Sequence, residues 1–246
     1  MGVTQKYSDF FKDEVIVRRY VDVVYRPGDY DAAIWDMQRT FLEKWLREFR
    51  ASKGQVKAMD FACGTGRVTS LVEEYADEMV GLDISAEMLE VAKEQTTRTD
   101  LRQGDILAEP AVVDTDYDLI TAFRFFLNAE PDLRARIMKA LAGRLRDETS
   151  RLVFNIHGNR RSIRHLTMRV RGPRDTWCNE MSMEEVRQLT DAAGIEIESW
   201  HGFGVLPRFL YKTKASSAAR RIDHAAAAAP WLSRISTDLL FICRRK

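Results

Sequence analysis

The chain lacks an excess of charge of either sign. Its 246 residues carry 38 lysines and arginines against 37 aspartates and glutamates, a formal net charge of +1. Such a balance creates no overall field that would steer the protein to nucleic acid or to an anionic membrane, so recognition of a charged partner must be local. The sequence also has no separate nucleic-acid recognition domain and no flipped-base motif, and a nucleic-acid partner is therefore not expected.

Cysteine is scarce. The three cysteines, Cys63, Cys178 and Cys243, are odd in number and widely spaced. This pattern disfavours a disulfide framework or a zinc site and fits a reducing compartment, so a cytoplasmic location is expected. No cluster of histidines and acids has the spacing of metal ligands, and no metal is expected.

Long apolar runs are missing as well. The N-terminus, MGVTQKYSDF, has no apolar signal core, and no later stretch of the sequence is long enough to cross a bilayer. Membrane insertion is therefore not expected. The low-complexity tract Ala225 to Ala229 has the composition of a helix that ends at Pro230.

The length of the chain suits one α/β domain with a sizeable core, whereas a second full domain would be cramped. We expect residues 1–54 to form an N-terminal helical cap or lid and residues 55–246 to form the main domain. An insert at about residues 201–235 is expected to wall a pocket, and a surface helical hairpin is the alternative. The oligomeric state stays open.

One stretch, Val56 to Asp83, has the pattern of a strand, a glycine turn, a helix and a second strand. A short apolar strand leads into Asp60, and the CGTG sequence that follows lets the backbone turn tightly and approach a ligand closely. Asp83 closes the second strand. Open α/β sheets bind ligands at the carboxyl ends of their strands, where a carboxylate can accept hydrogen bonds from both hydroxyls of a ribose. The stretch therefore predicts a site for an adenosine-type group.

Two adenosine cofactors fit this pattern, and two residues separate them. The dinucleotide fingerprint G-x-G-x-x-G requires a third glycine, but Thr69 stands at that position. Asp60 places a carboxylate beside the turn, which is unfavourable next to a diphosphate and suits a cationic amino group. The D-x-x-x-G-x-G arrangement, with Asp83 closing the next strand, resembles the class I S-adenosylmethionine-dependent methyltransferases.

This resemblance implies a fold and a cofactor. The fold is α/β, a seven-stranded, mostly parallel sheet with helices on both faces and an antiparallel last strand, to which an N-terminal helical cap is added. S-adenosylmethionine would be held at its methionine end by Asp60 and the glycine turn, and at its ribose by Asp83. Its adenine would contact the Gly104-Asp105-Ile106 segment, for which a simple turn is the alternative. The expected cofactor-binding residues are Asp60, Ala62, Cys63, Gly64, Gly66, Asp83, Ile84, Met88, Gly104, Asp105, Ile106, Phe123 and Tyr30.

The methyl acceptor is expected near the ends of the fourth and fifth predicted strands. Arg124 and Asn128 offer hydrogen-bond donors beside aromatic walls, a chemistry suited to a hydroxyl- or carboxylate-bearing small molecule. The motif by which methyltransferases of exocyclic base amines resemble one another is missing. His157 ends the fifth strand, where a neutral imidazole would take the proton of an acceptor hydroxyl. A histidine that caps a loop is the alternative, so His157 is a candidate base, with Arg124 and Asn128 as further candidate catalytic residues.

An arginine-rich segment follows His157. Two interpretations are open: a solvated helix face, or a cluster that binds the phosphate or carboxylate of an anionic acceptor. The arginines of this segment are Arg160, Arg161, Arg164, Arg169, Arg171 and Arg174.

Aromatic residues near the N-terminus are the second group with two interpretations. Tyr20, Tyr25, Tyr30 and Trp35 suit either a lid over the cofactor and acceptor or packing on the sheet, and Tyr30 is the favoured lid residue. Trp45 and Phe49, at helical spacing, are expected to pack on the sheet.

Three functions remain open at this stage. The favoured one is an S-adenosylmethionine-dependent methyltransferase that acts on a small-molecule, glycan or lipid-linked hydroxyl. The alternatives are an NAD-dependent oxidoreductase, which would share the acid after the second strand, and a non-catalytic protein that binds the cofactor and regulates a partner.

Overall fold

The computed structural model describes residues 29–166, 180–212, 218–219, 221–223 and 230–246. Several sequence predictions concern residues outside these ranges. They are the cap residues before residue 29 with Tyr20 and Tyr25, the arginines Arg169, Arg171 and Arg174, Cys178, and the alanine tract at residues 225–229.

Seven strands form one sheet in the order β3-β2-β1-β4-β5-β7-β6. The strands are β1 (Lys57–Phe61), β2 (Glu78–Asp83), β3 (Asp100–Gln103), β4 (Leu119–Ala122), β5 (Arg151–Ile156), β6 (Ile195–Phe203) and β7 (Asp238–Arg245). β7 runs antiparallel to both of its neighbours, and the other pairs are parallel. The predicted sheet, including its antiparallel last strand, is confirmed.

Helices cover both faces of this sheet. They are α1 (Tyr30–Lys53), α2 (Arg67–Val72), α3 (Ala86–Gln95), α4 (Pro131–Ala142), α5 (Met183–Ala192) and the short α6 (Pro230–Ser233), and 3-10 turns occupy Pro110–Val112 and Arg208–Lys212. Side chains alternate along each strand, so one face of the sheet packs on α4 and α5 and the other on α1 and α2.

Local signals account for several helix ends. Ser85 caps α3 by accepting a hydrogen bond from the Met88 amide, and Ser182 and Glu185 form a capping box at the start of α5. α4 begins at Pro131 and ends at Ala142, and Leu145 pairs with Tyr117 in an isolated parallel bridge. β6 runs through Phe203 with a bulge between Ile197 and Ser199, and the chain therefore leaves the sheet only after residue 203.

The order of the strands reverses between β1 and β4. In open α/β sheets, such a switch point opens a crevice at the carboxyl ends of the two strands, and ligands bind there. β1 leads into the glycine turn, and β4 leads into the Phe123 to Asn128 loop. The fold thus brings the predicted cofactor and acceptor residues to the same edge. Among the described residues, no helix is long and apolar enough to span a membrane.

Candidate active site

Three residues of the glycine turn between β1 and α2 have positive φ angles. Ala62, Gly64 and Gly66 have φ angles of 54°, 56° and 80°. A Cβ on Gly64 would meet nothing within 4 Å, so this residue faces open space, whereas a Cβ on Gly66 would lie 3.0 Å from the Ala92 Cβ. The turn therefore places exposed backbone toward a ligand on one side and packs tightly against α3 on the other.

Asp83, at the end of β2, is tied to this turn. One carboxylate oxygen accepts a hydrogen bond from the Gly64 amide at 2.8 Å, and the other accepts one from the Ser85 amide at 2.9 Å. Burial raises the pKa of Asp83, and these backbone donors oppose the rise. A carboxylate has about four acceptor sites, so beside the backbone donors of Gly64, Ile84 and Ser85 it keeps the capacity to accept from a ribose.

Asp60 lies beneath the turn and is 1% exposed. Its two carboxylate oxygens accept hydrogen bonds from the Thr69 hydroxyl at 2.7 Å and the Thr121 hydroxyl at 2.6 Å. Burial raises the pKa of Asp60 to about 6, and the two threonines oppose the rise. Asp60 therefore joins β1, β4 and α2 beneath the turn, a task that the sequence did not indicate, and its contact with a cofactor amino group stays a prediction.

The hydrogen bond to Asp60 gives Thr69 a structural role. It is fully buried, at the position where a dinucleotide site carries its third glycine. Its hydroxyl supplies one of the hydrogen bonds that make a buried carboxyl at Asp60 tolerable. The threonine at position 69, where a dinucleotide site has glycine, is thus linked to Asp60, which lies four residues before Gly64.

The residues expected around the adenine line the ends of β2 and β3. The Gly104 amide donates to the Asp83 carbonyl at 3.0 Å, which ties the two strand ends together. Asp105 is exposed and accepts a hydrogen bond from the Leu107 amide at 2.8 Å, so it opens a turn and also faces outward. Met88 and Ile106 are 3% and 2% exposed, and Ile84 is partly exposed. This arrangement is compatible with both interpretations of the Gly104-Asp105-Ile106 segment, a simple turn and a contact with the adenine.

Cys63 and Phe123 are buried, at 8% and 7% exposure. Cys63 is a free thiol whose pKa is raised by burial and by the nearby carboxyls of Asp60 and Asp83. A buried, neutral thiol acts as a small apolar wall beside the turn. Phe123 follows β4 and belongs to the core on the α1 side of the sheet.

On the acceptor side, the backbone of Arg124 is held in an unusual conformation. Its φ angle is 58°, its amide donates to the Asn155 side-chain oxygen at 2.7 Å, and its carbonyl accepts from the Asn128 amide group at 2.6 Å. Left-handed backbone is strained for a residue with a long side chain, so the two asparagines must hold it. Asn128 thus positions the loop, and its predicted contact with an acceptor stays a prediction.

Asn155 was missed by the sequence analysis. It is 2% exposed and stands inside the apolar strand β5. A lone amide within such a strand was the available signal, because a buried polar side chain needs a hydrogen-bond partner.

His157 follows β5 and is partly exposed, while its Nδ1 atom is buried with no hydrogen-bond partner among the described residues. Burial and the positive charges of Arg124, Arg164 and Arg208 lower its pKa well below the ordinary value. The imidazole is therefore neutral at neutral pH and keeps a ring nitrogen able to accept a proton. The geometry agrees with the predicted base but does not assign it.

Asp238 is a second residue that the sequence analysis did not identify. It begins β7 and, because Ile156 pairs with Leu239, lies across the sheet edge from His157. It is 6% exposed, and burial raises its pKa to about 7 despite the nearby charges of Arg124, Arg164 and Arg208. This carboxyl is thus poised to titrate near neutral pH at the acceptor edge.

Tyr30 lies with these acceptor-side residues. It is 2% exposed, its ring packs edge-on against Tyr211 at 5.2 Å, and the Arg208 guanidinium lies 4.5 Å from the ring centroid. Gly204 approaches so closely that a Cβ there would collide with the Tyr30 hydroxyl. Through these contacts Tyr30, the first residue of α1, packs against the insert after β6. Its predicted contact with the cofactor stays a prediction.

Two arginines in the described part of the arginine-rich segment, Arg160 and Arg164, have different surroundings. Arg160 is exposed and forms an ion pair with Glu185 at 2.9 Å, which fits the solvated interpretation. The Arg164 guanidinium instead lies 3.5 Å from the His157 carbonyl oxygen, at the acceptor edge. Within the described ranges, no group of three or more His, Cys, Asp or Glu side chains is arranged to hold a metal ion.

Asp238 gives a pH prediction for stability. A carboxyl whose pKa rises from the ordinary 3.8 to about 7 in the folded chain binds a proton more tightly when folded, so its contribution to stability falls as pH rises from about 4 to about 7. Relative to Asp238→Asn, the wild-type free energy of unfolding should fall by about 3 kcal/mol between pH 4.5 and pH 8. Urea denaturation of both proteins at each pH measures this difference.

The control is Asp191→Asn, which removes an exposed carboxylate paired with Lys246 at 3.0 Å. It should show almost no change with pH, because exposed ion pairs contribute little to stability. A difference between wild type and Asp238→Asn that does not depend on pH would show that Asp238 titrates normally.

The fold defines a class: the seven-stranded sheet with its antiparallel last strand is the architecture of class I methyltransferases. Residues 58–148 match a family model described as a methyltransferase domain. The resemblance and the fold class expected from the sequence are confirmed. The family match covers the strands and turns that carry the predicted cofactor residues from Asp60 to Asp105 and the Arg124 loop.

Known proteins resemble the chain in two ways. In sequence, it is 31% identical over 172 residues to the Arabidopsis thaliana 18S rRNA (guanine-N(7))-methyltransferase RID2, covering 65% of this chain and 56% of that protein. The chain thus spans little more than half the length of this curated relative.

In structure, the chain resembles the Synechocystis magnesium protoporphyrin IX methyltransferase with bound S-adenosylhomocysteine, with a TM-score of 0.64 at 14% identity, covering 95% of this chain and 100% of that one. A Clostridium acetobutylicum S-adenosylmethionine-dependent methyltransferase gives a TM-score of 0.60 at 15% identity, over 94% and 98% of the two chains. At such identities the likeness establishes the fold.

Proposed function

We propose that this chain is an S-adenosylmethionine-dependent methyltransferase that transfers the methyl group to a hydroxyl of a small-molecule, glycan or lipid-linked acceptor. The observation that carries the proposal is the Asp83 carboxylate, bonded to the Gly64 amide at 2.8 Å with acceptor sites still available beside an open glycine turn. That arrangement fits a ribose with the rest of an adenosyl cofactor lying along the turn.

The cofactor residues have distinct tasks in this proposal. Asp83 would hold the ribose hydroxyls, and Gly64, which carries no Cβ and faces open space, would let the methionine end approach the turn. Met88 and Ile106 offer apolar contacts to the adenine, and Asp105 can accept from its amino group. When bound, S-adenosylmethionine supplies an activated methyl group on a sulfonium and leaves as S-adenosylhomocysteine.

The remaining work of the chain is positioning and proton removal. The strained Arg124 loop and His157 follow the adjacent strands β4 and β5, so an acceptor bound between them would lie at the same sheet edge as the glycine turn. His157 is neutral because its pKa is lowered, and it takes the hydroxyl proton as the acceptor oxygen forms its bond to the methyl carbon. Holding the two reactants together supplies most of the remaining acceleration.

His157→Ala should leave cofactor binding intact and lower turnover by about 10²- to 10⁴-fold, the range expected for loss of a general base. The measurement pairs calorimetry with S-adenosylhomocysteine and methyl transfer from radiolabelled S-adenosylmethionine to a panel of hydroxylated acceptors. His165→Ala is the control, because that imidazole pairs with Glu180 on the segment beyond β5. Unchanged turnover in His157→Ala would remove this residue from the mechanism.

RNA is the second candidate acceptor, because the Arabidopsis relative at 31% identity is named as an rRNA methyltransferase. The acceptor panel therefore includes ribosomal RNA. Methylation of RNA alone would replace the small-molecule proposal. A chain that binds the cofactor but methylates nothing in the panel would support the non-catalytic alternative, and in that case His157→Ala would alter only the affinity for a partner.

A further inference from the structure

One carboxylate joins two arginines from distant parts of the chain. Asp31, in the first turn of α1, lies 3.3 Å from the Arg124 guanidinium and 2.7 Å from the Arg208 guanidinium. Arg124 belongs to the loop after β4, and Arg208 begins the 3-10 turn of the insert after β6. The two arginines thus converge on one point above the acceptor edge from opposite sides of the site.

The charges at this point are unequal. Two guanidinium groups share one carboxylate, and Arg164 adds a third positive charge beside the His157 carbonyl oxygen. Burial raises the pKa of Asp238 to about 7 and, together with the nearby arginines, lowers the pKa of His157, so neither group is fully charged near neutral pH. Among these described groups, positive charges therefore outnumber negative ones.

A buried polar atom lies beside the same site. The His157 Nδ1 has no hydrogen-bond partner among the described residues, whereas the Tyr30 hydroxyl is within reach of Thr237. Buried polar atoms are normally paired, so an unsatisfied nitrogen beside converging cations points to a ligand with a polar group. The Tyr30 ring, which packs against Tyr211 and Gly204, lies beneath the Arg208 guanidinium.

We propose that Arg124 and Arg208 form the binding site for a carboxylate or phosphate group of the acceptor, and that Asp31 occupies the place of this anion in the ligand-free chain. An oxyanion matches the fork of donors on each guanidinium better than a neutral group does. This inference rests on the proposed function, since it names the class of acceptor at the same site. Acceptors would then be hydroxylated acids or phosphates, and Asp31 would select against weakly bound neutral compounds.

If Asp31 has a purely structural role, its removal should change the affinity for anions in the opposite direction. In that role, Asp31 would hold Arg124 and Arg208 in place by its ion pairs, and its loss would weaken the binding of any anion. As a stand-in for the anion, Asp31 competes with it, and its loss would strengthen binding. The effect of Asp31→Asn on anion affinity therefore separates the two roles.

The experiment titrates the full chain, saturated with S-adenosylhomocysteine, with benzoate, phenyl phosphate and neutral benzamide, and follows binding by nuclear magnetic resonance. We expect both anions to bind at least about tenfold more tightly than benzamide, Asp31→Asn to tighten them about fivefold, and Arg208→Gln to weaken them about tenfold or more. A preference for benzoate over phenyl phosphate identifies a carboxylate as the natural group, and the reverse identifies a phosphate.

The matched control is Arg160→Gln, which removes an exposed arginine paired with Glu185 and should change nothing. Arg208→Lys keeps the charge but loses the fork of donors, so it should recover only part of the affinity. If Asp31→Asn does not fold, Asp31→Ser keeps a polar group in the first turn of α1 and is expected to tighten the anions in the same way.

Weaker or equal anion binding in the Asp31 variants, or unchanged binding in Arg208→Gln, would overturn the inference. The affinity for S-adenosylhomocysteine is measured on the same samples, and the anion titrations are repeated without it. A chain that binds S-adenosylhomocysteine but no anion retains the proposed function and loses the inference. A chain that binds the anions but not S-adenosylhomocysteine loses the proposed function.

Discussion

Asp83→Ala is expected to abolish the binding of S-adenosylhomocysteine, with a loss of affinity of at least about 100-fold. Two hydrogen bonds from ribose hydroxyls to a carboxylate disappear, and each hydrogen bond to a charged group contributes about 1.5–3 kcal/mol. The same change removes the acceptors of the Gly64 and Ser85 amides, so the glycine turn also loses its anchor to β2. Isothermal titration calorimetry measures the affinity.

Asp83→Asn sharpens this test because it keeps the shape of the side chain. Its amide group must point a donor at either the Gly64 or the Ser85 amide, both of which are donors themselves. Affinity should therefore fall nearly as far as in the alanine variant. Asp100→Ala is the control, since it removes an exposed carboxylate on β3 that pairs with Arg102. Binding within about threefold of wild type in both Asp83 variants would contradict the assigned ribose contact.

Gly66→Ala is expected to lower the free energy of unfolding by about 2–4 kcal/mol and to weaken cofactor binding. A left-handed backbone costs an alanine about 1–2 kcal/mol, and the new Cβ would lie 3.0 Å from the Ala92 Cβ and 3.1 Å from its Cα. Because Ala92 is in the middle of α3, the backbone cannot retreat without moving that helix. Chemical denaturation measures the change in stability.

Gly194→Ala is a control for this prediction. Gly194 directly follows the C-cap of α5, has a φ angle of 75° against 80° for Gly66, and a Cβ there would meet nothing within 4 Å. Its substitution should cost only about 1–2 kcal/mol, the conformational part of the penalty. Equal losses at Gly194 and Gly66 would show that close packing against α3 does not explain the glycine at position 66.

The sheet could be predicted from the sequence because its signals are local. Apolar runs mark the strands, Gly66 and Ser85 mark the starts of α2 and α3, and Ser182 with Glu185 marks the start of α5. The donor half of the site follows from the same signals, because Asp83 and Gly64 belong to one continuous pattern. Their direct hydrogen bond spans only 19 residues.

The acceptor half depends on contacts between distant residues, which a single sequence does not reveal. The Arg124 amide donates to Asn155 across 31 residues, and Arg208 donates to Asp31 across 177. Asp238 had no local signal, because an acid at the start of a strand is ordinarily solvated. It became notable only when the antiparallel pairing of β7 placed it across from His157. Sequence patterns predict elements, whereas the acceptor site arises from how the elements meet.

Calorimetric titration of the full chain with S-adenosylhomocysteine and with NAD tests the central claim most directly. The hydrogen bond from the Gly64 amide to Asp83, the open glycine turn and Thr69 in place of a third glycine predict binding of S-adenosylhomocysteine in the micromolar range or tighter and no measurable binding of NAD. Tight binding of NAD with no response to S-adenosylhomocysteine would contradict the account and favour the oxidoreductase alternative.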